Sequence, residues 1–458
     1  MKRIIKAFII LLAPFLFLMV GCSNNENYEF KSTDVEVIYD SPTLVELEKP
    51  RNLNSRDELT AFLDYVIFSG VENEYIYTTV SDSYKEILLE NLDYESRWAG
   101  QYGMLAHNFL IDYDFSKLNE GIVGAYGYIF TYATLKNDRN AYTNEVMDYS
   151  YYKNIYLDND NNRGYSLNDF YLYKNNKGYL RVNNSEQLFY AIVNGYMPYI
   201  EDSELLGLFS KILGILNRIL KPGMSEYERY DRMYSYLTNN VLYDYKMLNN
   251  KEGEPRLYRC YYLEGAILDG LATCDGLTKA LAVFCSLEGI NTMHVGAVSY
   301  HGGHAYNYTS IDDTWYLSCV TNGSKLQSYK GRMFLTHTRM FFLSDLKPNP
   351  SWEFDSEFNE PIKNQITKKY NYWGNTKIDI DGKGYSLEAL NKSDGLAILN
   401  YLDKLCNKNK ISLDIELLID YDTYKEMEAA FNFKCEVDVI NNGVFNNKKL
   451  YSFVFLGD

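Results

Sequence analysis

The sequence predicts an α+β fold: a helix that carries a cysteine, an antiparallel sheet that carries a histidine, and smaller α/β modules on either side. Three observations predict it. Residues 273–287 are apolar at helical spacing. Residues 290–319 switch to the two-residue alternation of strands, broken at Gly302-Gly303 and Asp312-Asp313. A helix-start pattern followed by a strand-like run recurs on both flanks.

Composition narrows the function classes. The 458 residues include 46% hydrophobic and 23% charged side chains, a globular balance with too much apolar content for a disordered chain. The length suggests two or three domains. With 45 Lys and Arg against 61 Asp and Glu, the net charge is −16, so the chain has no electrostatic attraction for phosphate backbones and no nucleic-acid partner is expected. The 45 Tyr against 4 Trp can pack a core or line a surface, and decide nothing alone.

Taken in chain order, the first segment is an address. Lys2, Arg3 and Lys6 precede an apolar run from Ala7 to Val20, too short to span a bilayer comfortably. It ends in Leu18-Met19-Val20-Gly21-Cys22, which resembles the bacterial lipobox, where the cysteine is acylated and becomes the new N-terminus. Met19 stands where Leu is usual. An ordinary cleaved signal peptide or an uncleaved anchor are the alternatives, and the position of Cys22 favours the lipobox. On this reading residues 1–21 are a lipoprotein signal peptide and Cys22 the lipid (palmitate-type) attachment site. Residues 22–45 then form a polar tether. Loss of Lys2, Arg3 and Lys6 takes the net charge to −19, so anionic headgroups would repel the body of the protein. An exported chain could pair its six other cysteines. Their irregular spacing has no CxxC, which excludes a zinc ribbon and leaves connectivity undetermined.

A local pattern then appears three times, at Asn54-Ser55-Arg56-Asp57-Glu58-Leu59, Asn184-Ser185-Glu186-Gln187-Leu188 and Asn391-Lys392-Ser393-Asp394-Gly395-Leu396. In each, Ser can cap a helix whose acidic first turn suits the dipole. The first and third continue alike: strand-like runs at 75–80 and 412–419, then Asp82-Ser83-Tyr84-Lys85-Glu86 and Asp422-Thr423-Tyr424-Lys425-Glu426 opening another helix. Either these are related α/β modules or common helix-start chemistry recurs; the shared continuation favours related modules. Polar stretches at 153–164 and 346–376 suggest boundaries. Between them, Leu205–Leu220 reads as a helix stopped by Lys221-Pro222-Gly223. Ser225-Glu226-Tyr227-Glu228 opens a second, Tyr227–Leu242, with a capping-box pattern.

The chemistry lies at 260–321. Thr273 can cap the helix that runs through Leu277, Ala280, Leu281, Phe284 and Leu287 to Gly289, which puts Cys274 in the first turn. There the helix dipole is expected to favour thiolate, the nucleophilic form. Residues 290–300, 304–308 and 315–319 read as strands, Gly302-Gly303 as a loop and Asp312-Asp313 as a turn. A hairpin centred near 311–312 sets Cys319 opposite His304, where a third group would orient the imidazole. Cys285 reads as core, and core is the default for Cys319 as well.

The combination Gly270…Cys274-Asp275-Gly276…Gly289-Ile290…Gly296…His304-Ala305-Tyr306-Asn307…Trp315-Tyr316…Thr321 resembles the transglutaminase-like superfamily, papain-related folds that keep a Cys, a His and an Asp on a helix and two strands. By this resemblance, which covers roughly residues 185–347, Cys274 is the nucleophile and His304 the base. Two positions depart from the family pattern: Tyr306 replaces the usual Trp, and Cys319 occupies the usual Asp position. A neutral thiol cannot balance an imidazolium. The alternatives are therefore a working dyad with a weakened third member, or a site that has lost catalysis. The Cys274 backbone N–H and Tyr243 are candidate oxyanion donors.

The implied organisation is an N-terminal α/β module at 46–180, a papain-like transglutaminase core at 181–347, and a C-terminal linker and α/β module at 348–458. The implied activity is acyl transfer or hydrolysis on peptide amides, as a cysteine peptidase, an amidase or a protein-glutamine acyltransferase. The protein would be lipid-anchored on the outer face of a bacterial cytoplasmic membrane. Its partners would be extracellular peptides or proteins, cell-wall peptide among them. The alternatives are a catalytically degenerate domain serving as a surface binding or scaffold protein, and a redox protein using Cys274 and Cys319. His301 and His304 with His294, and the calcium-loop-like runs Asp158–Gly164 and Asp379–Gly382, fit plain loops and turns better than metal sites. No metal and no cofactor is assigned.

Overall fold

The computed structural model describes residues 35, 37, 39, 42–69, 71, 74–98, 111–127, 167–244, 247, 258–299, 302–329, 332–337, 352–354, 373, 377–388, 391–409, 413–431, 435–445 and 448–455. Cys22, His301 and the run Asp158–Gly164 lie outside them. The architecture is α+β. No described helix is long and apolar enough to cross a membrane.

The N-terminal module runs β1 (Asn52–Leu53), α1 (Arg56–Phe68), β2 (Ile76–Val80), α2 (Asp82–Trp98), β3 (Ile111–Asp114) and β4 (Ile122–Gly127). Its sheet has the order β1-β2-β4-β3, with β1 parallel to β2 and the other pairs antiparallel. Leu59, Phe62, Leu63 and Val66 of α1 fill its core with Val80, Val123 and Ala125.

The middle of the chain opens with α3 (Tyr171–Asn175), β5 (Tyr179–Val182), α4 (Ser185–Val193), β6 (Met197–Ile200) and α5 (Ser203–Ile219). β5 and β6 pair in parallel around α4, as β1 and β2 do around α1. The packed chain starts before residue 46. Tyr179 bridges Leu44, and Tyr39 donates to the Pro198 carbonyl. Val35 and Val37 lie against the main core. The segment expected as a tether is therefore docked in its described residues, because its apolar side chains alternate along an edge that receives them. A boundary at 180/181 also falls inside β5.

Next come α6 (Glu226–Asn240), with both arms of the Ser225/Glu228 capping box formed, β7 (Leu242–Tyr243), β8 (Leu271–Ala272) and α7 (Cys274–Leu287). β9 (Thr292–Ser299), β10 (Gly302–Ile311), β11 (Thr314–Ser318), the hairpin β12 (Ser324–Tyr329) and β13 (Arg332–His337), and β14 (Trp352–Phe354) follow. The sheet order β11-β10-β9-β14 is antiparallel throughout. Gly302 and Gly303, expected as a loop, are strand residues opposite Ser299 and Val298. Ala305, Asn307 and Thr309 face α7, and Asn307 donates to the Thr278 carbonyl at 3.1 Å.

The C-terminal module contains β15 (Lys377–Ile380), β16 (Lys383–Ser386), α8 (Lys392–Asn409), β17 (Leu413–Asp420), α9 (Tyr421–Phe431), β18 (Glu436–Phe445) and β19 (Lys448–Phe455). Asp379–Gly382 makes the β15–β16 turn, with Asp381 and Gly382 at positive φ and the Gly382 N–H bonded to Asp379 Oδ1. The strand order β17-β19-β18 is antiparallel. It repeats β2-β4-β3 of the first module, strand for strand.

The three helix-start patterns thus head one recurring unit: a strand, a capped helix, a parallel strand and a second capped helix. Leu53, Val182 and Leu387 hold equivalent places, the last two-strand contact being the Leu418 N–H to the Leu387 carbonyl. Ser55 caps the first unit. In the second and third the cap is Asn184 or Asn391, one or two residues before the expected serine, each accepting the N–H three residues on. An Asn side chain reaches that N–H as well as Ser does, so the helix starts at the earlier residue.

Candidate active site

Cys274 opens α7 because β8 delivers the chain there. β7 and β8 pair in parallel, Tyr243 beside Ala272, and one residue later the helix begins. Thr273 occupies the cap position but makes no capping bond; its hydroxyl donates to the Cys260 carbonyl at 3.2 Å, as its N–H does at 2.9 Å. That loop, 258–262, crosses the helix start at Gly276. A Cβ on Gly276 would lie 2.5 Å from the Cys260 oxygen, so only glycine admits the crossing. Leu277, Leu281, Phe284 and Leu287 bury the opposite face, at about 1.5–3 kcal/mol for each large apolar side chain. Gly289, at φ +74°, ends the helix.

His304 arrives from the sheet. The β10–β11 hairpin turns at Asp312 and Asp313, both at positive φ, so Ile311 pairs with Thr314 and Asn307 with Ser318. The register is centred one residue later than the sequence suggested. Cys319, just past β11, is therefore level with Tyr306, not His304. It still shares their face and meets the imidazole diagonally, Sγ 3.2 Å from His304 Nε2. Tyr306 stacks edge-on against the same ring at 4.5 Å.

The end of β11 also bears on the surroundings of Cys274. In this hairpin Ile311, Thr309 and Asn307 direct their backbone groups toward β11, and so by alternation does Ala305. β11 stops at Ser318, opposite Asn307. The Ala305 N–H is left for another acceptor, and the Ala305 backbone acts on the Cys274 thiol in the direction that lowers it. The Tyr243 hydroxyl donates to the same sulfur. Residues 243, 274 and 305 thus converge at the open edge of the sheet. Cys274, His304, Tyr243 and Tyr261 are each partly exposed there, while Tyr306 and Cys319 are buried behind.

Electrostatically the site is neutral. Burial pushes the Cys274 thiol up to about 11, with Asp275 adding in the same direction against the Ala305 and Tyr243 hydrogen bonds. Burial pushes His304 down to about 4. The expected thiolate preference at the helix start does not prevail, because desolvation of the charged form outweighs a partial dipole charge.

Of the residues singled out from the sequence, the structure brings His304 together with Cys319 and Tyr243 together with Cys274. Sequence reasoning missed Ala305, whose contribution is a backbone group that no residue type announces. It also missed the buried charge row of Glu186, Lys279, Asp275 and His294 beneath α7. Lys279 bonds Glu186 at 2.8 Å and Asp275 at 2.9 Å, and His294 bonds Asp275 at 2.7 Å. The spacing of Asp275 and Lys279, four residues apart on a helix, was a legible signal. The six described cysteines are all free thiols, Cys285 within the core. Among the described residues no group of three or more His, Cys, Asp or Glu side chains could hold a metal ion.

No protein-family model matches this sequence, and no curated protein does. Similar solved structures include a Cytophaga hutchinsonii protein assigned as a cysteine protease, at 14% identity and a TM-score of 0.18. The match covers 28% of this chain and 40% of that one. A TGase matches at 14% identity and a TM-score of 0.24, over 57% of each chain. The functional reading therefore rests on the site itself.

Proposed function

We propose that this protein uses Cys274 for transglutaminase-like acyl transfer on peptide amides. The observation that carries this is the placement of Cys274 in the first turn of α7, half-buried, with the Tyr243 hydroxyl and the backbone of Ala305, the neighbour of His304, both acting to lower its thiol against the effect of burial. The His304 ring lies with Nε2 against Cys319. As the sulfur attacks the carbonyl carbon, the carbonyl oxygen gains the electron pair and the thiol proton is transferred to His304, which on this reading must bring its ring to the sulfur from its place against Cys319. The Cys274 N–H and the Tyr243 hydroxyl are positioned to receive that oxyanion. His304 then protonates the leaving amine, and an acyl-thioester remains. Water would complete hydrolysis; a lysine or wall-peptide amine would complete a cross-link.

The same reading makes the protein a lipoprotein anchored through Cys22, outside the cytoplasmic membrane, acting on extracellular peptide or protein. The lipobox-like run supports this. Expression in a bacterial host should place the chain in the membrane fraction, and Cys22→Ser should release it.

One observation favours a second reading. His304 has a thiol where a carboxylate would sustain an imidazolium, and its basicity is low. A domain so altered would bind extracellular peptides without processing them. The deciding experiment is turnover of fluorogenic peptide amides and incorporation of a dansylated amine into a glutamine peptide, for the natural protein and Cys274→Ala. Turnover that disappears in Cys274→Ala supports the enzyme; equal background in both leaves the binding reading.

A further inference from the structure

The buried row beneath Cys274 is a clamp on one carboxylate. The Lys279 ammonium forms ion pairs with Glu186 Oε1 at 2.8 Å and Asp275 Oδ2 at 2.9 Å and donates to the Tyr261 carbonyl at 3.2 Å. On the other side His294 Nε2 lies 2.7 Å from Asp275 Oδ1. Glu186, Lys279 and His294 are at most 3% exposed. The clamp thus joins α4, α7, β9 and the loop bearing Tyr261. Asp275 follows Cys274 directly, in the first turn of α7.

That placement has a sign. A helix N-terminus offers about half a positive elementary charge to a group in its first turn. Ionised Asp275 brings a full negative charge to the same turn, and its two partners hold it ionised, at about 2. The Lys279 ammonium 2.9 Å away offsets part of that charge, and what remains opposes the dipole at the sulfur in the same direction as burial. The other groups that act on the sulfur are the uncharged Tyr243 from β7, Tyr261 from the crossing loop, and Tyr306 and the Ala305 backbone from β10. His304 and Cys319 lie beyond on the sheet. Asp244, behind Tyr243, is engaged by the Cys260 thiol and the Met247 N–H.

We propose that Asp275, held between Lys279 and His294, is a positioning residue that keeps Cys274 a neutral thiol, so that the sulfur loses its proton only as a carbonyl is attacked. The functional consequence rests on the acyl-transfer reading; the charge effect does not. A resting thiol of this kind resists adventitious alkylation and oxidation, which act on thiolate.

The test is iodoacetamide alkylation of the full chain between pH 6 and 10.5, with modification of Cys274 followed by peptide mass spectrometry. The natural protein should show a rate still rising at pH 9.5. Asp275→Asn keeps the shape and removes the charge. It should lower the midpoint by at least one pH unit. Each unit raises the thiolate fraction tenfold below the midpoint, and the accompanying fall in intrinsic nucleophilicity leaves a net gain of about threefold in rate. A midpoint unchanged or raised in folded Asp275→Asn overturns the proposal. So does a plateau below pH 8 in the natural protein, which decides the matter even if the variant does not fold. A residue with only a packing role would leave the midpoint in place. Alkylation needs no substrate, so loss of the amide-turnover reading and loss of this one are separate results.

Discussion

Cys319→Asp is the most informative single change, and its size can be worked from the geometry. The thiol it replaces lies 3.2 Å from His304 Nε2. A carboxylate about 4 Å from an imidazolium, at an effective dielectric near 20, is worth about 4 kcal/mol, or about three pH units. Cys319 is fully buried, so the new carboxylate also bears a desolvation penalty that returns part of this. Measured shifts for such pairs run about one to three units. His304 should therefore rise from about 4 to roughly 5–7. The thiol stands at about 11, so moving its proton to the imidazole costs about 10 kcal/mol before the two new charges attract. One to three units off that gap corresponds to a gain of about 10- to 1,000-fold in turnover at most. The assay is an NMR titration of the histidine ring protons from pH 3 to 8, assigned with His304→Gln, run beside peptide-amide turnover. A His304 midpoint that stays below 5 in folded Cys319→Asp would refute the electrostatic reasoning. A raised midpoint with no gain in turnover would favour the binding reading.

Other expectations are simpler to state. Tyr243→Phe removes one donor to the Cys274 sulfur and the candidate oxyanion donor, and should lower kcat about 10²- to 10³-fold with KM little changed; undiminished kcat would exclude Tyr243 from the site. Gly276→Ala forces a methyl to within 2.5 Å of the Cys260 carbonyl and 3.1 Å of that of Tyr262. The strain should cost about 1–3 kcal/mol, read as a lower Tm, and an unchanged Tm would mean the crossing loop is free to move. Alkaline pH should destabilise the fold. Burial raises Cys285 to about 12, so its contribution is intact below the unfolded-state value near 8.5 and declines as pH rises toward 12. By pH 10 the loss is about 2 kcal/mol. Circular-dichroism melts at pH 7 and 10 check this, and equal Tm values would contradict it.

What could be read from the residues alone followed from local chemistry. Capping patterns, the stripe from Leu277 to Leu287 and the alternation through β9–β11 are properties of short windows, and each located its element to within a few residues. The hairpin register was missed by one residue because it depends on which two residues take positive φ, and Asp312-Asp313 does so without the glycine that marks such turns. Diagonal contact preserved the His304–Cys319 meeting all the same, since a shift of two in pairing keeps side chains on one face. Docking of Val35, Val37 and Tyr39 was not legible, because a polar N-terminal stretch gives no hint of the edge that receives it. Nor was the electrostatic state of Cys274. A helix start argues for thiolate, and only the burial and the Asp275 clamp, which require α4 and β9 in place, reverse the sign.

The repeated unit explains why the clamp reaches as far as it does. In the third unit the helix after the leading strand packs against the strands and second helix of its own module. In the middle unit that helix is α4. Its Glu186 meets Lys279 of α7, and its Gln187 donates to the Ile67 carbonyl of α1, while Tyr190 donates to Asp64. One helix therefore supports the Cys274 helix on one side and the N-terminal module on the other. A chain cut at residue 181 to isolate the cysteine-bearing core would sever β5 from its place beside β6 and loosen α4. The loss would then fall on Lys279, which must still neutralise Asp275, and Glu186 would be exposed to water. Removing one member of a buried ion pair costs about 3–5 kcal/mol, more than a small core can spare. The repeat and the clamp are thus linked: α4 of the middle unit holds the helix that carries Cys274 through Glu186 and Lys279.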